Sequence, residues 1–160
     1  MVEVIYGEKD DISAPELAGF YRRLGHPIAA DEPRIARMIE ASTVFVTARA
    51  GGELIGIARG LTDGVRGYLT ECKLDPRYQG PAAVTRSDGR IEDDQYGIAQ
   101  TLARRVLEAL EARGAERIDA LAYTTEVDFL TELGFRHDGG QQAMTRRRGA
   151  AVPVVGAARG

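Results

Sequence analysis

Apolar residues follow two rhythms along this chain, and the switches between them mark out its elements. Residues 2–6 are a short β-branched and aromatic run, read as a first strand. Ser13-Ala14-Pro15-Glu16 has capping-box spacing, in which the Ser oxygen and the Glu carboxylate satisfy N–H groups exposed at a helix start. The helix it opens carries Leu17, Phe20, Tyr21 and Leu24 and runs to Gly25. Asp31-Glu32-Pro33 opens a second helix with Ile35, Met38 and Ile39 on one face. Three strands in meander order follow: residues 43–50, 53–61 and 66–74. They are joined at Gly51-Gly52 and Asp63-Gly64, where glycine accepts the positive φ that a tight hairpin requires.

Residues 75–96 then form a connection rich in Pro, Gly, Asp and Arg. The strongest helical pattern covers 97–113, with Ile98, Leu102, Val106 and Leu110 on one face and Gly114 as the stop. Residues 117–123 read as a strand, and Thr125-Glu126-Val127-Asp128 caps a short helix that ends at Gly134. A last hairpin is predicted from residues 135–137 and 141–145 around Gly139-Gly140. The tail is basic at Arg146-Arg147-Arg148, a solvated strand end, and then rich in Ala, Gly and Val; residues 152–155 could add a strand to a neighbour.

This order predicts an α/β fold of the α+β kind: a mixed, mainly antiparallel sheet flanked by helices. An antiparallel meander leads into a right-handed β-α-β crossover. One domain over residues 1–146 and a C-terminal extension over 147–160 are expected; 160 residues suffice for a sizeable core. Hydrophobic content of 44% and charged content of 28% are those of an ordinary globular protein. No apolar stretch is built to span a membrane or lead secretion, and Cys72 alone forms no internal disulfide, which suits a cytoplasmic location. A net charge of −3 argues against nucleic acid as a partner.

Two stretches carry the chemistry. Leu74-Asp75-Pro76-Arg77-Tyr78-Gln79-Gly80 ends a strand, and Tyr96-Gly97-Ile98-Ala99 opens the long helix. A helix start offers N–H groups without intrahelical partners and about half a positive charge, and glycine lets the backbone approach an anion. Together the stretches resemble the pyrophosphate-binding pattern of the GNAT superfamily of N-acetyltransferases: an apolar residue, any residue, Pro, then Arg/Gln-x-x-Gly-x-Gly/Ala. The element order over residues 2–146 is similar to the GNAT fold as well.

The resemblance implies acetyl-CoA as cosubstrate, with Gln79, Gly80, Gly97, Ile98 and Ala99 on its pyrophosphate. The backbone of Lys73 and Leu74 would pair with the pantetheine arm like an added strand. It also implies direct transfer of acetyl to an amine of a small molecule or peptide. Dimers are common for this fold, and the Ala/Val tail offers a surface for a homodimer.

This chain departs from the family by inserting residues 81–95 between the two halves of the pattern. The insertion ends in Glu92-Asp93-Asp94, whose charges would repel a pyrophosphate if they turned inward. The reading adopted is that they face solvent and leave the helix N–H groups free; the other is that they occupy the anion site. Ser87-Asp88-Gly89-Arg90 looks like a hairpin tip, either in a lid over the acceptor pocket or in a surface loop.

Acetyl transfer needs a neutral amine, hence a base. Glu71, three residues before Leu74, is the first candidate, where relatives often carry a glutamate; a solvated or salt-bridged strand residue is its other role. Thr70, Cys72 and Tyr68 fall on the opposite face unless the strand bulges. By the resemblance a tyrosine acid would stand at Leu130, so Tyr123 is the substitute donor to the leaving thiolate, or a rim aromatic. Cys72 reads as a small apolar residue, and His26 and His137 show no metal-ligand spacing. A catalytically silent GNAT-fold binding module is the alternative function.

Overall fold

The computed structural model describes residues 3–84 and 88–153. Five strands form one sheet in the order β1-β2-β3-β4-β5: Val4–Glu8, Val44–Ala50, Glu53–Thr62, Arg66–Leu74 and Arg117–Ala120. The first four are antiparallel to their neighbours, while β5 lies parallel to β4. Between β1 and β2 come α1 (Ala14–Arg23) and α2 (Glu32–Ala41); α3 (Ile98–Ala112) crosses from β4 to β5, and α4 (Val127–Glu132) follows. Val2, placed in the first strand by the sequence, lies outside the described residues, as do Val154 and Val155.

Local chemistry accounts for the helix starts. Ser13 Oγ accepts from Glu16 N at 3.3 Å, and Asp31 Oδ1 accepts from Arg34 N at 3.1 Å. Glu16 does not close the expected box; its carboxylate accepts from Arg49 Nη1 and Nη2, each at 2.5 Å, a stronger bidentate partner.

The sheet separates two apolar layers. Leu17, Phe20, Tyr21, Ile35 and Ile39 of α1 and α2 pack with Phe45, Leu54 and Ile57 on one face. Ile98, Leu102, Val106 and Leu110 of α3 pack with Val46, Ile55, Ala58 and Leu74 on the other. Helix α3 lies unusually close to β3: a Cβ on Gly60 would meet Val106 Cγ1 at 2.7 Å and Leu110 Cδ1 at 2.9 Å.

The last hairpin predicted from the sequence does not form. Gln141 N donates to Asp138 O at 3.0 Å, so the turn is made, but residues 135–137 and 141–145 are not strands. The second arm offers one large apolar side chain, Met144, and it is 89% exposed, so pairing would bury almost nothing. The fifth strand also stops at Ala120, short of its expected end at Tyr123. Among the described residues, no helix is long and apolar enough to cross a membrane.

Candidate active site

One extra residue sits in the strand just before the candidate base. In the β3–β4 ladder Arg59 pairs with Glu71, but Gly60 pairs with Leu69, leaving Thr70 as the added residue of a bulge. A one-residue offset reverses the facing of everything beyond it. Leu69 and Leu74 therefore both belong to the α3 layer, and Cys72 packs against it. Glu71 turns instead toward α1, where Tyr21 OH donates to its Oε1 at 2.5 Å and Arg59 Nε donates to the same oxygen at 3.1 Å. Tyr21 is buried. Burial first, and then the neighbouring carboxylate, push its pKa far up, so the phenol remains a donor.

The parallel pair β4–β5 ends at Leu69 opposite Ala120. Beyond that pair the chains part around a cavity of about 340 Å³. Glu71, Lys73, Asp88, Arg90, Tyr123 and Glu126 form its polar wall. Arg90 pairs with Asp88 at 3.0 Å and lies 3.6 Å over the Tyr123 ring. Burial acts against charge on Asp88, but the hydrogen bonds from Arg90 and the nearby Lys73 outweigh it and hold that carboxyl below its ordinary pKa. Leu130, at the position where the resemblance implied a tyrosine, lines the same cavity.

Tyr123 borders the cavity, 49% exposed and stacked under Arg90. Cys72 Sγ lies 3.8 Å from Ala99 O, and burial, then nearby carboxylates, push its thiol well up, so it is a packed neutral group. His26 also borders the cavity, with its ring centroid 4.9 Å from that of Tyr21. Tyr21, Arg59 and His26 were not singled out from the sequence as site residues. Nothing local marks them, because Arg59 reaches Glu71 only through the β3–β4 register, and Tyr21 and His26 reach the site only once α1 docks on the sheet.

The helix start departs from expectation. Gly97 does take the left-handed conformation at the N-cap of α3, with φ 71°. Two carboxylates of the acidic run, those of Asp93 and Asp94, however, turn inward. Asp94 Oδ1 accepts from Ala99 N at 2.8 Å, and Oδ2 accepts from Gln100 N at 2.9 Å. This corrects the reading that these amides are free: the chain's own carboxylate satisfies the helix dipole there. Asp93 Oδ2 accepts from Ala82 N at 3.0 Å and lies against Gly80, whose φ of 137° and missing Cβ make room for it.

The other expected contacts are engaged too. Leu74 N donates to Gly89 O at 3.0 Å, and Lys73 Nζ donates to Asp88 O at 2.9 Å. Gln79 is 1% exposed; its Nε2 donates to Leu74 O at 2.8 Å and Arg90 O at 3.0 Å. Its Oε1 accepts from Glu92 N at 3.0 Å and Asp93 N at 3.2 Å. Ser87 lies outside the described residues, and 88–95 are neither a strand-built lid nor a free surface loop. Residues 88–94 pack inward, with Ile91 1% exposed, while Gln95 is exposed. As folded, these groups do not fit a CoA diphosphate and pantetheine arm. Among the described residues, no group of three or more His, Cys, Asp or Glu is placed to hold a metal ion.

No protein-family model matches the sequence, and no curated protein matches it. Solved structures do. One of Deinococcus radiodurans, described as an acetyltransferase, aligns with TM-score 0.64 at 22% identity, over 96% of this chain and 100% of that one. The chain has the GNAT acetyltransferase fold. A GNAT family acetyltransferase of Streptococcus pneumoniae aligns with TM-score 0.63 at 14% identity, over 91% of this chain and 100% of that one. An aminoglycoside N-acetyltransferase in complex with CoA aligns with TM-score 0.62 at 17% identity, over 92% and 95%.

Proposed function

We propose that the protein is an acyl-CoA-dependent N-acyltransferase that passes an acetyl group directly to an amine of a small molecule or peptide. The observation that carries this reading is the parting of β4 and β5 beyond Leu69 and Ala120, with Glu71 in the wall of the cavity it leaves. The fold shared with structures of acetyltransferases, one of them holding CoA, supports it further.

Glu71 is the group suited to take a proton from an incoming ammonium, directly or through one water. Arg59 and Tyr21 both engage Oε1, which fixes the carboxylate in place and leaves Oε2 to meet the amine. The cavity wall sets the carboxylates of Glu71, Asp88 and Glu126 against Lys73 and Arg90, with Asp88 already paired to Arg90, so Glu71 is the carboxylate offered to an amine. Tyr123 is the residue proposed to donate a proton to the leaving thiolate; its place at the cavity rim, 49% exposed, supports that role.

Thiol release from acetyl-CoA, followed across small primary amines and peptide N-termini, tests the proposal. The expected result is amine-dependent release with a matching acetylated product by mass. No release and no CoA binding, with the segment 81–95 present or excised, would overturn it.

A further inference from the structure

We infer that residues 88–94 are a built-in competitor of the cosubstrate, folded into the groove that CoA would use and released when CoA binds. The inference rests on the acyl-CoA reading of the site. Two unconnected parts of that groove are filled by chemically matching pieces of one segment. Where an added strand would pair with β4, Gly89 O already accepts from Leu74 N at 3.0 Å. Where a diphosphate would meet the helix start, the Asp94 carboxylate already accepts from Ala99 N and Gln100 N. A backbone carbonyl stands for the amide arm and an anion for the diphosphate.

Further contacts show that the segment is seated and not merely nearby. Gln79 spends both donor hydrogens and both acceptor positions on Leu74 and residues 90, 92 and 93, the full capacity of a side-chain amide. Ile91 is buried in the α3 layer, and its N–H donates to Glu126 Oε2 at 3.0 Å. The seat has a specific fit at Gly89, where φ is +79° and a Cβ would meet Leu24 Cδ1 at 2.7 Å.

The excursion also closes on itself, because Gln95 N donates to Gln79 O at 2.8 Å. Excising 81–95 would join Gly80 to Tyr96 and give Gln79-Gly80-Tyr96-Gly97-Ile98-Ala99. That run is Gln-x-x-Gly-x-Ala, the uninterrupted pyrophosphate pattern. In the intact chain the corresponding run is Asp94-Gln95-Tyr96-Gly97-Ile98-Ala99, with an acid in place of Arg or Gln. A segment that must leave before the ligand enters weakens apparent affinity by the fraction of time the groove is open.

Calorimetric titration of CoA into the intact chain, the variant lacking 81–95, and the single variants Gly89→Val and Ile91→Ser tests this, with folding checked by circular dichroism and cooperative melting. The excised variant is expected to bind CoA about 10–100-fold tighter than the intact chain, and either single variant severalfold tighter. Hydrogen exchange on the intact chain should show Ile91, Glu92 and Asp93 amides losing protection on CoA addition while Ala99 and Gln100 keep theirs. Equal affinities, with residues 91–93 still protected in the complex, would overturn the competitor and leave the acyl-CoA reading standing. Folded variants and intact chain that all fail to bind CoA would overturn that reading, and the competitor with it. If the excised variant does not fold, the two single variants decide.

Discussion

At the scale of single residues, Glu71 is held as an acceptor from two sides, by Arg59 and by Tyr21. Glu71→Gln keeps the shape and removes the proton acceptor. It should lower kcat/KM for the amine by about 10²–10⁴-fold and leave CoA affinity unchanged. Arg59→Met should cost about 1.5–3 kcal/mol in urea unfolding, because a charge-assisted bond at a mostly covered carboxylate is lost. Acid sensitivity belongs to this scale as well. Burial raises the pKa of Asp75, but the Arg77 side chain and backbone N–H outweigh it and hold it below 3.8. A lowered carboxyl contributes stability that is fully present above 3.8 and lost as pH falls through its folded value. Asp94 runs the other way: burial raises it above 3.8, so its charge works against the folded state at neutral pH. Asp75→Asn should therefore flatten the fall in urea midpoint below about pH 4. Asp94→Asn should still lower the urea midpoint at pH 7, because Asn keeps one acceptor oxygen and turns an amide N–H toward the second helix-start N–H.

At the scale of elements, the two glycines of β3 set how close α3 can come. Gly60→Ala should cost about 1–3 kcal/mol by overpacking, read as a lower urea midpoint with an unchanged m-value. Pairing it with Val106→Ala should recover part of that loss, because Val106 Cγ1 is the atom the new methyl would meet. The helices, the meander and its turns were legible because each declares itself within a few residues, through caps, periodicity and glycine. The bulge at Thr70 was not. A bulge is a property of two strands in register, and nothing within Tyr68–Leu74 says which residue is the extra one. Alternation from Leu74 puts Glu71 on the face away from α3, but only the β3–β4 register and the docking of α1 bring Arg59 and Tyr21 to it, so the sequence named the candidate base and not the residues that hold it.

At the scale of the whole molecule, residues 146–153 are exposed and form no regular structure. A chain ended at Thr145 should unfold within about 0.5 kcal/mol of the full chain, because the described residues 146–153 bury no side chain. A larger loss would show that the extension is part of the folded unit. The missing last hairpin belongs here too. Its turn formed, but a hairpin without a face to bury has little to hold it, and the local pattern alone overstated it.

The amino-acid sequence by itself determined the order of elements as far as α4, the apolar faces of the helices and the glycine that opens α3, since these follow from spacing and from the conformations each residue tolerates. It also supplied two halves of a phosphate-binding pattern with an acidic stretch between them. Only the tertiary structure decided what that stretch does. Asp94 could face water or turn onto the amides of Ala99 and Gln100 with the same neighbours in sequence. The outcome depends on groups brought up from elsewhere: the Leu74 N–H, the buried Gln79 amide and the α3 layer around Ile91. A polar group is satisfied by whichever partner the completed fold brings within reach, and local sequence carries no record of that competition.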